Sequence, residues 1–167
     1  MSVDILVKCR CWERGLCKPC PIDASRLVME DDEGGGHPWL VEGYSSEELQ
    51  TLCHWSKTAC THPDGFAMSD RMCSSHMVPV IIQELQGEWA GTCPVLLSCL
   101  DKVSTFGAAG SEDQEAAVIL HEIETLYAAG FADGLTETGP DTVAGILDVL
   151  HRAAKAAAEQ RTNIVWS

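Results

Sequence analysis

The stretch from Trp55 to His76 constrains the fold most, because it carries two closely spaced pairs of residues that can bind a metal. The first pair is Cys60 and His62, and the second is Cys73 and His76. Structural zinc takes four Cys and His ligands, often as two close pairs on two segments of chain. One interpretation is therefore a zinc site made of these four residues, placed between a strand-rich beginning and a helical remainder of the chain.

A second interpretation of the same stretch needs no metal. Free cysteines are often small buried hydrophobic residues, and Cys60 and Cys73 fit that role. The sequence His62-Pro63-Asp64-Gly65 has the residue order of a tight turn. In this interpretation His62 braces the turn and does not bind zinc.

The first strand brings further cysteines into the argument. Residues 3–12 alternate, and the alternation predicts a strand with one apolar face made of Val3, Ile5, Val7, Cys9 and Cys11. Cys9 and Cys11 are therefore expected in the core. Together with Cys17 and Cys20 they also form a second candidate set of four zinc ligands. A proline-rich loop with incidental cysteines is the alternative for residues 15–21.

The rest of the pattern predicts an α+β fold in a single domain, residues 1–167, sheet-rich over 1–43 and helical over 45–160. Strands at about 3–12, 25–30 and 38–43 are expected to form a small N-terminal antiparallel sheet joined by hairpin connections. Four or five helices pack against it. They are expected to begin at the capping box Ser45–Glu48, at Asp70 or Ser74, at Pro94, at the capping-box order Ser111–Gln114, and near Thr138.

Composition limits the class of protein. The chain is 46% hydrophobic, yet no apolar run is long enough for a transmembrane helix, and its first residues lack the features of a signal peptide. A cytoplasmic location is expected, where the nine cysteines stay reduced. No phosphate-binding loop, nucleophile elbow or metalloprotease helix is present, so we expect a protein that is not an enzyme.

The net charge of −14 is concentrated in the C-terminal half. Residues 103–151 contain nine acids and neither Lys nor Arg. Such a surface disfavours nucleic acid, which needs basic residues, and favours a basic protein partner. The candidate partner-binding residues, expected on or near exposed helix faces, are Glu115, Glu122, Asp141 and Asp148.

Three stretches carry a resemblance to a known group. The Cys9-x-Cys11-Trp12 strand, the helix ending in Trp55 with the following turn at 58–64, and the helix at 117–127 resemble those of small, mostly uncharacterised bacterial proteins. These are loosely associated with immunity proteins of polymorphic toxin systems. The resemblance implies a non-catalytic protein that neutralises a basic toxin, and the alternative is a zinc-stabilised small domain. Cys17 and Cys20 depart from the pattern of the group, which weakens the four-cysteine site.

Overall fold

The protein has an α+β fold with five helices and six strands in the part of the chain that the structure describes. The structure is a computed structural model and describes residues 2–29, 35–106, 109–110, 115–135, 137 and 139–166. The helices are α1 (Ser46–Ala59), α2 (Met77–Gln86), α3 (Pro94–Phe106), α4 (Glu115–Ala128) and α5 (Val143–Gln160). The strands are β1 (Ser2–Lys8), β2 (Leu27–Val28), β3 (Trp39–Leu40), β4 (Phe66–Ser74), β5 (Ala109–Gly110) and β6 (Ile164–Trp166).

The chain divides into two compact units. The larger unit contains Met1–Val7 and Met68–Ser167, and the smaller unit contains Lys8–Ala67. The sequence predicted a sheet-rich part up to residue 43 and a helical part from residue 45. The boundary between the units lies later, at Ala67, so that α1 belongs to the smaller unit and most of β4 to the larger one. That all 167 residues make one domain stays a prediction.

The larger unit is built on a four-stranded sheet in the order β4-β1-β6-β5. β6 pairs antiparallel with both β1 and β5, and Leu6 lies opposite Val165. The alternation predicted for β1 is confirmed, since Val3, Ile5 and Val7 are all buried. Ile164 and Trp166 of β6 are fully buried.

The helices of the larger unit bury the apolar stripes that the sequence predicts. In α4 the buried positions include Ala116, Ile119, Ile123 and Leu126, and in α5 Ile146, Leu147 and Leu150. α4 packs against α5 and α3, and α2 packs against α3. The capping box predicted for Ser111–Gln114 lies outside the described residues.

The smaller unit combines a short hairpin with one helix. β2 and β3 pair antiparallel, with Leu27 opposite Leu40. α1 begins with the predicted capping box: the Ser45 side chain accepts from the Glu48 amide, and the Glu48 carboxylate accepts from the Ser45 amide. A small cluster of fully buried residues lies in this unit, with partly buried hydrophobic residues packed against it; its members are Leu40, Leu52, Trp55 and Ala59.

Two local predictions need correction. The first strand was expected to join the strands at 25–30 and 38–43, but β1 pairs with β6, and β2 and β3 form a separate sheet. A helix was expected from Asp70 or Ser74, but residues 66–74 form β4, in which Met72 and Cys73 are buried. The helix begins only at Met77, after a turn.

Candidate metal centre

Four side chains from two distant segments converge in the smaller unit. The Sγ atoms of Cys9, Cys11 and Cys60 and a ring nitrogen of His62 all lie within 4.8 Å of one another. Cys9 and Cys11 are buried, while Cys60 and His62 are half-buried. These residue types are those that zinc binds in structural sites.

The distances between the four atoms can be compared with a zinc tetrahedron. Zn–S bonds of about 2.3 Å and Zn–N bonds of about 2.0–2.1 Å place two sulfurs about 3.8 Å apart, and a sulfur and a nitrogen about 3.6 Å apart. The Cys9 and Cys60 sulfurs are 3.8 Å apart. His62 Nδ1 lies 3.5 Å from the sulfur of Cys11, 3.9 Å from that of Cys60 and 3.1 Å from that of Cys9. Three of these four distances match the tetrahedron to within about 0.3 Å, and the distance from His62 to Cys9 is about 0.5 Å shorter than the expected edge.

The backbone holds the two segments together. The Cys9 amide donates to the Gly65 carbonyl at 2.9 Å, and the Gly65 amide closes the predicted turn by donating to the His62 carbonyl at 3.0 Å. Gly65 has a φ of 74°, which a glycine adopts without strain. The turn thus sets Cys60 and His62 opposite Cys9.

Backbone amides also point at two of the sulfurs. The Cys11 amide donates to the Cys9 Sγ at 3.3 Å, and the His62 amide donates to the Cys60 Sγ at 3.4 Å. Each bond spans two residues, so the same local geometry occurs in both pairs. Amide donors stabilise negative charge on sulfur, which prepares these thiols to bind a cation as thiolates.

A second group of potential ligands shares one member with the first. Cys17, His37 and Cys60 present ligand atoms within 4.8 Å of one another. The Nε2 atom of His37 lies 3.3 Å from the Cys60 sulfur. Cys60 therefore lies between two sets of ligands.

A close backbone approach brings His37 to this position. The Gly36 amide donates to the Gly65 carbonyl at 2.7 Å. A Cβ on Gly36 would lie 1.5 Å from the Cys9 carbonyl oxygen, so only glycine fits there. His37 follows directly and its ring packs on Trp55, with ring centres 5.7 Å apart.

Burial disfavours the charged forms of Cys9, Cys17 and His37, because it shifts the pKa of each. Burial raises the pKa of Cys17 to about 12, with a further contribution from Cys60, and it raises the pKa of Cys9 above the ordinary value. Burial and the neighbouring His62 lower the pKa of His37. A bound divalent cation reverses this preference for the thiols, because it stabilises thiolates directly.

One aromatic contact and two hydrogen bonds hold the segment around Cys17 in place. Trp12 meets Trp55 edge to face with ring centres 5.5 Å apart, and the Trp55 indole donates to the Lys18 carbonyl at 3.1 Å. The Lys18 amide in turn donates to the Ala59 carbonyl at 2.7 Å. These bonds fix the loop that carries Cys17 against the end of α1.

The structure combines one pair from each of the two predicted zinc sets. Cys60 and His62 meet Cys9 and Cys11, whereas Cys73 and His76 are not part of either ligand group among the described residues. Cys73 is buried in β4, where burial raises its pKa to about 11, and His76 is the exposed residue before α2. The two lie in the larger unit because their segment forms a strand instead of a second ligand-bearing loop.

The second predicted set is also divided. Cys17 belongs to the group around Cys60, while Cys20 is half-buried against the small core and in neither group of described residues. His37 was not among the predicted ligands, because no other Cys or His lies within fifteen residues of it in the sequence. Cys9-x-Cys11 and Cys60-x-His62 have the same spacing, and these are the two pairs that converge in the structure.

The predicted acidic surface needs one correction. Glu122 was expected near an exposed face, but it is buried and accepts hydrogen bonds from the Val95 and Leu96 amides at 3.0 and 2.8 Å. Asp141 and Asp148 are exposed and form ion pairs with Arg71 and Arg152, and Glu115 is half-buried. Binding of a basic toxin through these residues stays a prediction from the sequence.

Comparison with known proteins adds no further constraint. No family model, curated protein or solved structure matches this chain. Within the described ranges, every helix is too short or too polar to span a membrane.

Proposed function

We propose that residues 8–67 form a zinc-binding unit in which Cys9, Cys11, Cys60 and His62 hold a structural zinc ion. The observation that carries the proposal is the convergence of these four ligand atoms at distances close to the edges of a zinc tetrahedron. The ligands come from two pairs, and the sulfurs of Cys9 and Cys60 are 51 residues apart in sequence. One ion would therefore join the two ends of the unit.

The choice of zinc follows from the ligand chemistry. Thiolate and imidazole ligands in a tetrahedral arrangement favour zinc over magnesium or calcium, which prefer oxygen. Four protein ligands close the coordination sphere, which is typical of structural zinc and leaves no position for a substrate.

The small core of this unit gives the metal a physical role. Its buried cluster has four residues, Leu40, Leu52, Trp55 and Ala59. Chains of about 40–70 residues rarely bury enough apolar surface for stability and often use a metal or disulfides in addition. A zinc ion that joins residues 9–11 to residues 60–62 would stabilise this unit, because it binds the folded ligands in preference to the unfolded chain and its binding free energy adds to the free energy of unfolding.

Metal analysis of protein made without a histidine tag and kept reduced tests the proposal. We expect stoichiometric zinc in the wild type and loss of the ion bound by this site in the double variant Cys11→Ser/His62→Ala. The control is Cys53→Ser, which removes an exposed thiol of α1 that is in neither ligand group. It should keep the wild-type zinc content.

Cobalt provides a reading that does not depend on the stability of the variants. Wild-type protein loaded with Co²⁺ should show intense thiolate-to-cobalt absorption and the visible bands of a tetrahedral ion. A reduced wild-type protein that neither contains zinc nor takes up zinc or cobalt would disprove the proposal. So would a double variant with undiminished zinc.

A further inference from the structure

Cys60 occupies a position that one tetrahedral ion does not fully explain. Its sulfur is 3.8 Å from the Cys9 sulfur and 3.3 Å from His37 Nε2. Cys17 belongs to the same group as His37. The Cys60 sulfur is therefore a member of two groups of ligand atoms, and a thiolate sulfur has enough lone pairs to bind two ions.

We propose that Cys60 bridges two zinc ions and that Cys17 and His37 hold the second ion beside the structural one. This inference rests on the proposed zinc unit and extends it to a dinuclear centre. The first ion has Cys9, Cys11, Cys60 and His62, and the second has Cys17, His37 and the shared Cys60.

The charge balance favours two ions over one. Three thiolates on a single zinc give a net charge of −1 at a site that is partly removed from water. Two zinc ions contribute four positive charges, and the thiolates of Cys9, Cys11, Cys17 and Cys60 contribute four negative ones. The four thiol protons leave to solvent on binding, and the centre with its two neutral imidazoles carries no net charge. An uncharged centre costs less free energy to bury than a charged one.

The second ion has an open coordination position. The described residues supply it with three ligand atoms, one fewer than a closed zinc site requires. His37 also lines a surface pocket of about 280 Å³, together with Lys57 and Asp64. Water or a small thiol can therefore complete the coordination from the side of this pocket.

The metal content of matched variants distinguishes the two sites. We expect two zinc ions per chain in the wild type and in Cys53→Ser, and one in Cys17→Ser and in His37→Ala. The double variant Cys11→Ser/His62→Ala should lose the first ion, and the double variant Cys17→Ser/His37→Ala should lose the second. Protein exchanged with ¹¹³Cd should give two resonances coupled through the shared sulfur, and one uncoupled resonance in His37→Ala.

Each outcome separates the inference from the proposed function. One zinc per chain in the wild type, unchanged by Cys17→Ser and His37→Ala, would overturn the dinuclear centre and leave the structural site intact. A second zinc that survives both substitutions lies elsewhere and overturns it as well. No metal in the wild type would overturn both.

Binding of a small thiol to the cobalt-loaded protein tests the open position separately. In protein with Co²⁺ in both sites, 2-mercaptoethanol should shift the visible bands in the wild type and leave those of His37→Ala unchanged. A wild-type spectrum that does not respond would overturn the open position on the second ion.

Discussion

The carboxylate of Glu48 connects the start of α1 to the segment before β2. It accepts from the Ser45 amide at 2.8 Å and from the Arg26 guanidinium at 3.1 and 3.2 Å. The Arg26 hydrogen bonds and the Ser45 amide lower the pKa of Glu48 from its ordinary 4.5 to about 2. The ionised form is thus the one that the folded state favours.

The sign of the resulting pH dependence follows from this depressed pKa. A carboxyl whose pKa is lower in the folded state contributes stability that is present above its unfolded value and lost as the pH falls towards the folded value. Between about pH 4.5 and pH 2 the wild type should therefore lose more free energy of unfolding than Glu48→Gln. Urea denaturation at a series of pH values measures this difference.

The matched control for Glu48 is Glu47→Gln, an exposed neighbour in the same first turn. Its stability should follow the wild-type pH dependence. Acid also displaces metal from thiolates, which lowers the free energy of unfolding of every variant alike. The comparison therefore uses the difference in free energy of unfolding between variants at each pH. Parallel curves for the wild type and Glu48→Gln would contradict the assigned role.

At the scale of single residues, the candidate centre could be predicted in part. The sequence marks Cys60, His62, Cys9 and Cys11 as potential ligands, because their types and spacings suit zinc. It does not say which pairs meet, since that depends on a backbone bond between Cys9 and Gly65, distant in sequence. His37 stands alone in its segment, and its place beside Cys60 follows from the close approach of Gly36 to Cys9.

At the scale of elements, a buried carboxylate on one helix holds the start of another. Glu122 of α4 accepts hydrogen bonds from the Val95 and Leu96 amides in the first turn of α3. These amides have no partner within their own helix, and a negative charge there is favourable because of the helix dipole. The contact explains why an acid occupies the buried side of α4.

Removing this carboxylate should destabilise the protein. Glu122→Ala leaves the buried amide of Leu96 and the half-buried amide of Val95 without this acceptor, which should cost about 3 kcal/mol in the free energy of unfolding. Glu122→Gln keeps one acceptor oxygen and should cost less. Denaturant unfolding measures both variants.

The control for Glu122 is its exposed neighbour Glu124, whose side chain is 58% exposed and lies 3.7 Å from His151. Glu124→Ala should change the free energy of unfolding by less than about 0.5 kcal/mol. Equal effects of Glu122→Ala and Glu124→Ala would refute the assigned role.

The elements with a strong periodic pattern were the predictable ones. The helical stripes of α4 and α5 follow a period of 3.6 residues, and α1 carries its capping box in the sequence. β4 was missed because Phe66–Ser74 mixes polar and apolar residues on both faces, and Pro79 suggested the start of a longer helix. The partner of β1 is the distant β6, a pairing that local pattern does not encode.

At the scale of the whole molecule, all the candidate ligands fall in one of the two compact units. Cys9, Cys11, Cys17, His37, Cys60 and His62 belong to the smaller unit, residues 8–67. The larger unit has its own sheet and a core of long apolar helices, including the fully buried Ile119, Ile123 and Leu126. With the proposed zinc ion the two units would have different sources of stability, apolar burial in the larger and metal binding with a small core in the smaller.

This difference predicts a local response to metal removal. Cys60 directly follows α1, so the proposed zinc ion would hold the C-terminal end of that helix, while the capping box at Ser45 holds its start. Chelation of zinc from reduced protein should raise amide hydrogen exchange in residues 46–59, because local opening becomes less costly when the ligands are released. Peptides from residues 143–160, which contain no candidate ligand, should exchange at an unchanged rate, and added zinc should restore the original rate in α1.

The variant Cys11→Ser/His62→Ala should show fast exchange in α1 before any chelator is added. Exchange in α1 that ignores chelator, zinc and this variant alike would mean that the small core alone holds the helix, and that the cysteines and His62 pack there without a metal.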